Sequence, residues 1–150
     1  MKLKIPPAIV FLLFGGGMYL LDRFLPVGYF DFLGRMYLSK GLIVLALLIS
    51  TVALFQFYKA RTSVDPTTPA KTTRLVTGGV YRYTRNPMYL AMLLLLLAFG
   101  LGLGNVFNTI TAAFFVAYMN RYQIIPEEEM LAKIFGKAYQ QYCLQVRRWF

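Results

Sequence analysis

A short run of residue types suited to binding a charged ligand begins at Arg85 and continues through Asn86 to Tyr89. Three consecutive glutamates, residues 127–129, follow later in the chain. Guanidinium and carboxylate groups bind ions of opposite charge, and tyrosine rings attract cations to their faces. The sequence has no histidine and a single cysteine, Cys143, which excludes an imidazole base, a histidine or cysteine metal cluster and an internal disulfide. Any chemistry must therefore use Asp, Glu, Arg, Lys, Tyr, Asn, backbone groups or a cofactor, and we expect no metal.

The elements that must position these residues are strongly apolar. Hydrophobic residues make up 58% of the chain and its mean hydropathy is +0.55, which is typical of a membrane protein. Four apolar segments stand out, at residues 8–21, 41–58, 88–103 and 106–125. A helix that crosses a bilayer needs about 20 residues, so the first and third segments are short. The pattern predicts an all-α integral membrane protein with about four transmembrane helices.

The third and fourth segments must lie side by side. Only Gly104 and Asn105 separate them, so we expect a tight antiparallel hairpin whose two ends return to the same side of the membrane. The hairpin would bring the residues around Tyr89 close to the glutamates at 127–129. Two distant stretches of sequence would then form one site.

The chain divides into four parts around this hairpin. Residues 1–60 hold two spans, 61–87 form a cytoplasmic connection, 88–125 form the hairpin, and 126–150 form a C-terminal helix that caps the site. This last segment is predicted to be amphipathic because its apolar residues recur every three or four positions. They are Met130, Leu131, Ile134, Phe135, Tyr139, Tyr142 and Val146. Gly136 interrupts the pattern, so the helix is expected to bend or break there.

The basic residues behind the net charge of +10 are divided unevenly between the loops on the two sides of the predicted spans. Thirteen of the 16 Lys and Arg residues fall on one side of the predicted spans, and only Arg23, Arg35 and Lys40 fall on the other. The positive-inside rule then places both termini, the connection and the C-terminal helix in the cytoplasm. A basic face of this kind suits anionic lipid headgroups, so we expect membrane lipids as partners and no nucleic acid.

Each feature of the site also has a purely structural explanation. Asn86 is a good helix cap and Pro87 a good first helical residue, glutamates stabilise a helix N-terminus, and arginines and tyrosines anchor helices at the interface. Their convergence favours a binding site, because a helix N-terminus also offers N–H groups to an anion. A zwitterionic or cationic small molecule would suit this mixture of groups.

The stretch "LVTGGVYRYTRNPMY", followed by "IIPEEEMLAKIFGKAYQQYCLQVRRW", resembles the isoprenylcysteine carboxyl methyltransferase family and its phospholipid methyltransferase relatives. The family pattern is Gly-Val-Tyr, Arg-His-Pro-x-Tyr, a hydrophobic hairpin, Glu-Glu, and Phe-Gly-x-x-Tyr-x-x-Tyr with a closing Arg. The resemblance covers residues 73–149 and is much weaker over residues 1–60.

The resemblance implies a membrane methyltransferase that uses S-adenosyl-L-methionine in a cytoplasm-facing pocket formed mainly by residues 73–150. A lipophilic acceptor would arrive from the lipid side. The residues that the resemblance places at the cofactor are Thr73, Arg74, Leu75, Val76, Tyr81, Asn86, Pro87, Met88, Tyr89 and Glu127. The expected catalytic residues are Arg85, Tyr89 and Glu128.

Two positions depart from the family pattern. Asn86 replaces the family His, which removes any titratable group there. Gln123 replaces an Arg that orients a carboxylate, which weakens the case for a prenylcysteine carboxylate as the acceptor. A phospholipid-like acceptor, a non-catalytic membrane scaffold and an NADPH-dependent enzyme like the sterol reductases all stay open as alternatives, as does the oligomeric state.

Overall fold

The computed structural model describes residues 5–25, 27–60 and 74–150, and the regular elements in these ranges are all helical. The predicted all-α fold is therefore confirmed. In chain order the elements are α1 (Pro7–Phe24), α2 (Arg35–Ala60), a 3₁₀ turn (Gly79–Arg82), α3 (Pro87–Leu103), α4 (Phe107–Met119), a π-helical turn (Asn120–Ile124), α5 (Ile125–Phe135) and α6 (Lys137–Gln145).

Two helices, α1 and α2, are long and apolar enough to cross a membrane. Helix α3 is apolar but shorter, and α4 has 13 residues. Helix α2 buries only the small residues Ser39, Ala46 and Ala53, which recur every seven positions and so form one narrow stripe. The Ser39 hydroxyl donates a hydrogen bond to the Ala98 carbonyl in α3 over 2.8 Å. Small side chains thus let α2 approach α3 closely, while its other faces remain apolar and exposed, as lipid contact requires.

The connection between α3 and α4 is as short as the sequence predicts. Asn105 is buried there, and its side-chain oxygen accepts a hydrogen bond from the Phe107 amide over 3.0 Å. Its side-chain nitrogen donates to the Leu25 carbonyl after α1. These contacts tie the connection to α1 and favour the predicted hairpin, although four spans and their arrangement in a membrane stay predictions.

The end of the fourth apolar segment differs from the expectation. Helix α4 ends at Met119, and the π-helical turn leads directly into α5, so no break precedes Pro126. Proline has no N–H and its ring collides with the carbonyl four residues earlier in a regular α-helix. The wider π-helical turn before Pro126 accommodates this residue without ending the helix.

The C-terminal segment is two helices rather than one. Gly136 separates α5 from α6 with φ 52° and ψ −125°, a conformation that residues with a Cβ rarely adopt. The predicted bend at Gly136 is thus observed as a complete break. It directs α6 so that Tyr139 and Tyr142 are buried.

Replacing Gly136 by Ala is expected to lower the free energy of unfolding by about 1–3 kcal/mol, because the backbone there is strained for any residue with a Cβ. There is open space around the position, so the cost comes from the backbone alone. Thermal unfolding of the detergent-purified protein measures it. Gly102→Ala, inside α3 and equally unobstructed, is the control and should be neutral or stabilising. Equal stability of the two variants would contradict the strain at Gly136.

Candidate active site

One cavity of about 560 Å³ lies where the N-terminal end of α1, the C-terminal end of α2, the start of α3 and helices α5 and α6 meet. Its wall includes every predicted site residue that the structure describes. These are Arg74, Leu75, Val76, Tyr81, Arg85, Asn86, Pro87, Met88, Tyr89, Glu127 and Glu128. Thr73, the remaining predicted residue, lies outside the described residues. The structure thus brings the predicted residues to one place, while their roles toward a ligand stay predictions.

The start of α3 forms one side of the cavity. Asn86 occupies the position before the helix and Pro87 is its first residue, as predicted. The side chain of Asn86, however, makes no capping hydrogen bond to the helix. Its Nδ2 donates instead to the Arg148 carbonyl over 2.9 Å. The interpretation of Asn86 as a side-chain cap is therefore wrong, and the first turn of α3 faces the cavity without that cap.

Tyr89 and Glu127 form the contact between α3 and α5 at the cavity wall. The Tyr89 hydroxyl donates a hydrogen bond to Oε1 of Glu127. Glu127 is buried although it is acidic, and a buried carboxylate requires partners that offset its loss of hydration. A carboxylate positioned in this way beside a cavity can bind a cationic group of a ligand.

Glu128 lies between two arginines. Its Oε1 is 3.1 Å from Nη2 of Arg85, and Arg148 donates from Nε and Nη2 to its two oxygens over 3.1 and 2.7 Å. The hydrogen bonds to Glu128 raise the pKa of the Arg148 guanidinium. In addition, the Arg85 amide donates to the Arg147 carbonyl over 3.0 Å. This network, Arg85–Glu128–Arg148, fastens the C-terminal tail beside the start of α3.

Aromatic rings line another part of the cavity wall. Phe57 of α2 and Tyr81 of the 3₁₀ turn meet edge to face with ring centroids 5.4 Å apart. The Tyr142 hydroxyl donates to the Tyr81 carbonyl over 2.6 Å. Burial raises the pKa of Tyr81, with Tyr142 adding to the shift, and burial raises the pKa of Tyr139 and of Tyr142 as well. These three phenols therefore stay neutral at physiological pH and offer uncharged aromatic surfaces to a ligand.

The turn that carries Tyr81 is fixed by a close approach to α2. Gly79 has φ 58°, and a Cβ there would lie 1.5 Å from Nε2 of Gln56. The same Nε2 donates to the Gly78 carbonyl over 3.1 Å. The positive φ and the contact with Gln56 therefore account for glycine at position 79, the second of the Gly pair before Tyr81.

Several cavity residues were not predicted from the sequence. They are Ile5, Pro6, Pro7, Ala8, Phe57, Met92, Leu131, Phe135, Tyr139 and Tyr142. For α5 a signal was present, because Gln123, Glu127, Leu131 and Phe135 are spaced by four and so share one helix face. Nothing in residues 1–60 indicated that the start of α1 and the end of α2 would complete the wall.

The groups around the cavity fit S-adenosyl-L-methionine by their chemistry. The molecule carries a carboxylate, an ammonium, a sulfonium and a planar adenine. The first turn of a helix can receive the carboxylate, a buried glutamate the ammonium, and neutral aromatic rings the sulfonium or the adenine. In the described part of the chain, no group of three or more His, Cys, Asp or Glu residues could hold a metal ion.

The fold and the cavity define an all-helical protein with two helices long and apolar enough to cross a membrane and a cavity lined by charged and aromatic side chains at the ends of its helices. The chain belongs to the phospholipid methyltransferase family, whose sequence model matches residues 34–138. This membership confirms the family resemblance and supports a methyltransferase activity at a membrane. The match begins at residue 34, so it also covers α2, where the resemblance was weak.

Two individual relatives each match less than half of the chain. The chain is 44% identical over 62 residues to an uncharacterised protein of Haemophilus influenzae, covering 41% of this chain and 98% of that protein. It is 34% identical over 68 residues to the protein-S-isoprenylcysteine O-methyltransferase of Schizosaccharomyces pombe. That match covers 45% of this chain and 29% of the length of the yeast protein. No solved structure matches the chain significantly.

Proposed function

We propose that the protein is a methyltransferase that uses S-adenosyl-L-methionine to methylate a lipophilic acceptor at the cytoplasmic face of the membrane. The observation that carries the proposal is the buried Glu127 carboxylate, hydrogen-bonded to Tyr89 at the start of α3, in a cavity that aromatic rings also line. Family membership supports the methyltransferase part. The cofactor and the class of acceptor come from the family resemblance, and the chemistry of the cavity supports them.

The chain's own residues would bind the cofactor from two sides. The first turn of α3 would receive the carboxylate at the N–H groups of Met88 and Tyr89, since Pro87 has none, and Glu127 would pair with the ammonium. Tyr81 would face the adenine or the sulfonium. Arg74, Leu75, Val76 and Asn86 would complete that side of the wall, with Thr73 next to them in sequence.

When bound, the cofactor supplies an electrophilic methyl group: the acceptor's lone pair forms the new bond to carbon, and the electron pair of the breaking carbon–sulfur bond remains on sulfur. The protein's task is then to align two molecules and exclude water, which accounts for large accelerations without any titrating base. Tyr89 would hold Glu127 in place, and Arg85 would contact the acceptor or the cofactor. Glu128 would keep Arg85 and the C-terminal tail positioned over the cavity.

The proposed arrangement of the chain in the membrane rests on its charges and its apolar surface. Helices α1 and α2 expose large apolar side chains, such as Leu12, Leu47 and Phe55, and would face lipid. By the positive-inside rule, the excess of basic residues on one side of the spans would place both termini and the cavity on the cytoplasmic side. A lipophilic acceptor would reach the cavity from the bilayer, whereas the cofactor would enter from water.

Calorimetry on the detergent-purified protein tests the proposal. We expect saturable binding of S-adenosylhomocysteine and S-adenosyl-L-methionine, with much weaker binding of NADPH. Absence of binding for both sulfur compounds would overturn the proposed cofactor. Tighter binding of NADPH would instead favour a reductase.

A further inference from the structure

A second cleft, of about 330 Å³, shares one wall residue with the main cavity. Its wall combines the 3₁₀ turn and the segment before it with the end of α6. The lining residues are Thr77, Gly78, Arg82, Tyr142, Gln145 and Val146. Tyr142 is the shared residue, and its hydroxyl already donates to the Tyr81 carbonyl. The contacts proposed for the cofactor make no use of this cleft.

The polar side chains of the cleft are suited to an anion. Arg82 supplies a guanidinium, Thr77 a hydroxyl and Gln145 a carboxamide, and each of these groups can donate hydrogen bonds. No aspartate or glutamate lines the cleft. The ion pairs among the described residues use Arg35, Arg85 and Arg148 and leave Arg82 without a carboxylate. Water can satisfy each exposed donor singly, but the cleft brings three donors together and opposes them with no acid.

The cleft lies beside the end of a helix that is long and apolar enough to cross a membrane. Nε2 of Gln56 in α2 donates to the Gly78 carbonyl over 3.1 Å, one helical turn before that helix ends. Large exposed side chains surround this level. They are Tyr58 in α2, Tyr83 beside Arg82 in sequence, and Leu144 beside Gln145. Exposed tyrosines at the end of a span are typical of the head-group layer of a bilayer, so a lipid phosphate would lie at the depth of the cleft.

We propose that this cleft is a second binding site, that it holds a phosphate group, and that an anionic phospholipid supplies this group. A guanidinium forms two parallel hydrogen bonds with phosphate oxygens, and Thr77 and Gln145 would donate to the oxygens that remain. The bound lipid would be a regulator and not the methyl acceptor, because the cleft is a separate concavity from the one that Glu127 lines.

A phosphate in the cleft would connect two elements of the main cavity. Arg82 directly follows Tyr81 in the 3₁₀ turn, and Gln145 lies three residues after Tyr142 in α6. A ligand that bridges Arg82 and Gln145 would therefore reinforce the hydrogen bond from Tyr142 to the Tyr81 carbonyl. Because a ligand that binds the folded state alone stabilises it, occupancy should raise the temperature of unfolding.

Two probes, phosphatidylglycerol and inorganic phosphate, test the inference on the full-length protein purified in detergent. Native mass spectrometry gives the fraction of protein that retains one lipid as the lipid concentration rises, and thermal unfolding is measured with each probe. We expect the wild type to bind phosphatidylglycerol and to unfold at a higher temperature with it. Arg82→Gln should weaken binding on the order of tenfold, as the loss of a hydrogen-bonded charge does. Thr77→Val should have a smaller effect.

Arg147→Gln is the matched control. Arg147 carries the same charge, is exposed two residues after Gln145, and lines neither the cleft nor the main cavity. Its replacement should leave lipid binding unchanged. Stabilisation by inorganic phosphate that depends on Arg82, without retention of the lipid, would support the phosphate site and assign it to a soluble ligand.

Two results would overturn the inference. Equal losses of binding in Arg82→Gln and Arg147→Gln would show attraction to the overall positive charge and no site. No binding of either probe by the wild type would exclude a phosphate site altogether. Neither measurement needs the cofactor or the acceptor, so its outcome is independent of the proposed methyltransferase function.

Discussion

Replacing Glu127 by Gln is expected to weaken the binding of S-adenosylhomocysteine by about a hundredfold, since truncating one partner of a buried charge pair costs about 2–5 kcal/mol. The Gln side chain keeps the shape and can still pair with Tyr89, but it lacks the negative charge that would bind the ligand ammonium. Calorimetry gives the affinity directly. Thermal unfolding of the variant, measured in parallel, separates a loss of affinity from a loss of the fold.

The chain supplies a close control in Glu129. It lies two residues further on, carries the same charge and is exposed, so Glu129→Gln should bind S-adenosylhomocysteine like the wild type. Tyr89→Phe provides a graded test, because it keeps the ring and removes the hydroxyl that holds Glu127. Its effect should be smaller than that of Glu127→Gln. Normal binding by Glu127→Gln would show that this carboxylate does not contact the cofactor.

Replacing Glu128 by Gln is expected to lower the free energy of unfolding by about 2–3 kcal/mol, because it leaves Arg85 and Arg148 close together without their shared carboxylate. The side chains of Arg85 and Glu128 are only 12% and 17% exposed, so solvent screens this pair weakly. The Arg148 side chain is 35% exposed, so its pairing with Glu128 contributes less to stability. Thermal unfolding with and without S-adenosylhomocysteine measures the change.

The ion pair between Asp31 and Arg35 is the control for this prediction. Their atoms are 2.9 Å apart, but the Asp31 side chain is 81% exposed, and exposed pairs contribute about 0–1 kcal/mol. Asp31→Asn should therefore have little effect on stability. If Glu128→Gln were no more destabilising than Asp31→Asn, the network would not hold the tail as the distances indicate.

The sequence was most informative where the determining interactions are local or repeat along the chain. Apolar segments predicted the helices, Pro87 predicted the start of α3, and Gly136 predicted the break before α6. The short connection at Gly104 and Asn105 also correctly indicated that the residues around Tyr89 would meet Glu127. These features depend on covalent geometry and helical periodicity, which can be read from neighbouring residues.

The remaining features depend on contacts between distant parts of the chain. Asn86 resembles a helix cap because of its neighbour Pro87, but its amide donates to the Arg148 carbonyl, 62 residues away. That bond exists only because the tail returns to the start of α3. The contact between Gln123 and Ile5 spans 118 residues and has no counterpart in any local pattern. The π-helical turn likewise results from Pro126 in the middle of a continuous helix, where the sequence suggested a new start.

The most direct test of the central claim is the transfer of a labelled methyl group. The purified wild-type protein and its Glu127→Gln variant are incubated with methyl-labelled S-adenosyl-L-methionine and a membrane lipid extract or prenylcysteine analogues, and the products are identified by mass. We predict a methylated amphiphile with the wild type and a strongly reduced yield with the variant. No methylated product from the wild type with any of these acceptors, or equal yields from the two proteins, would contradict the account.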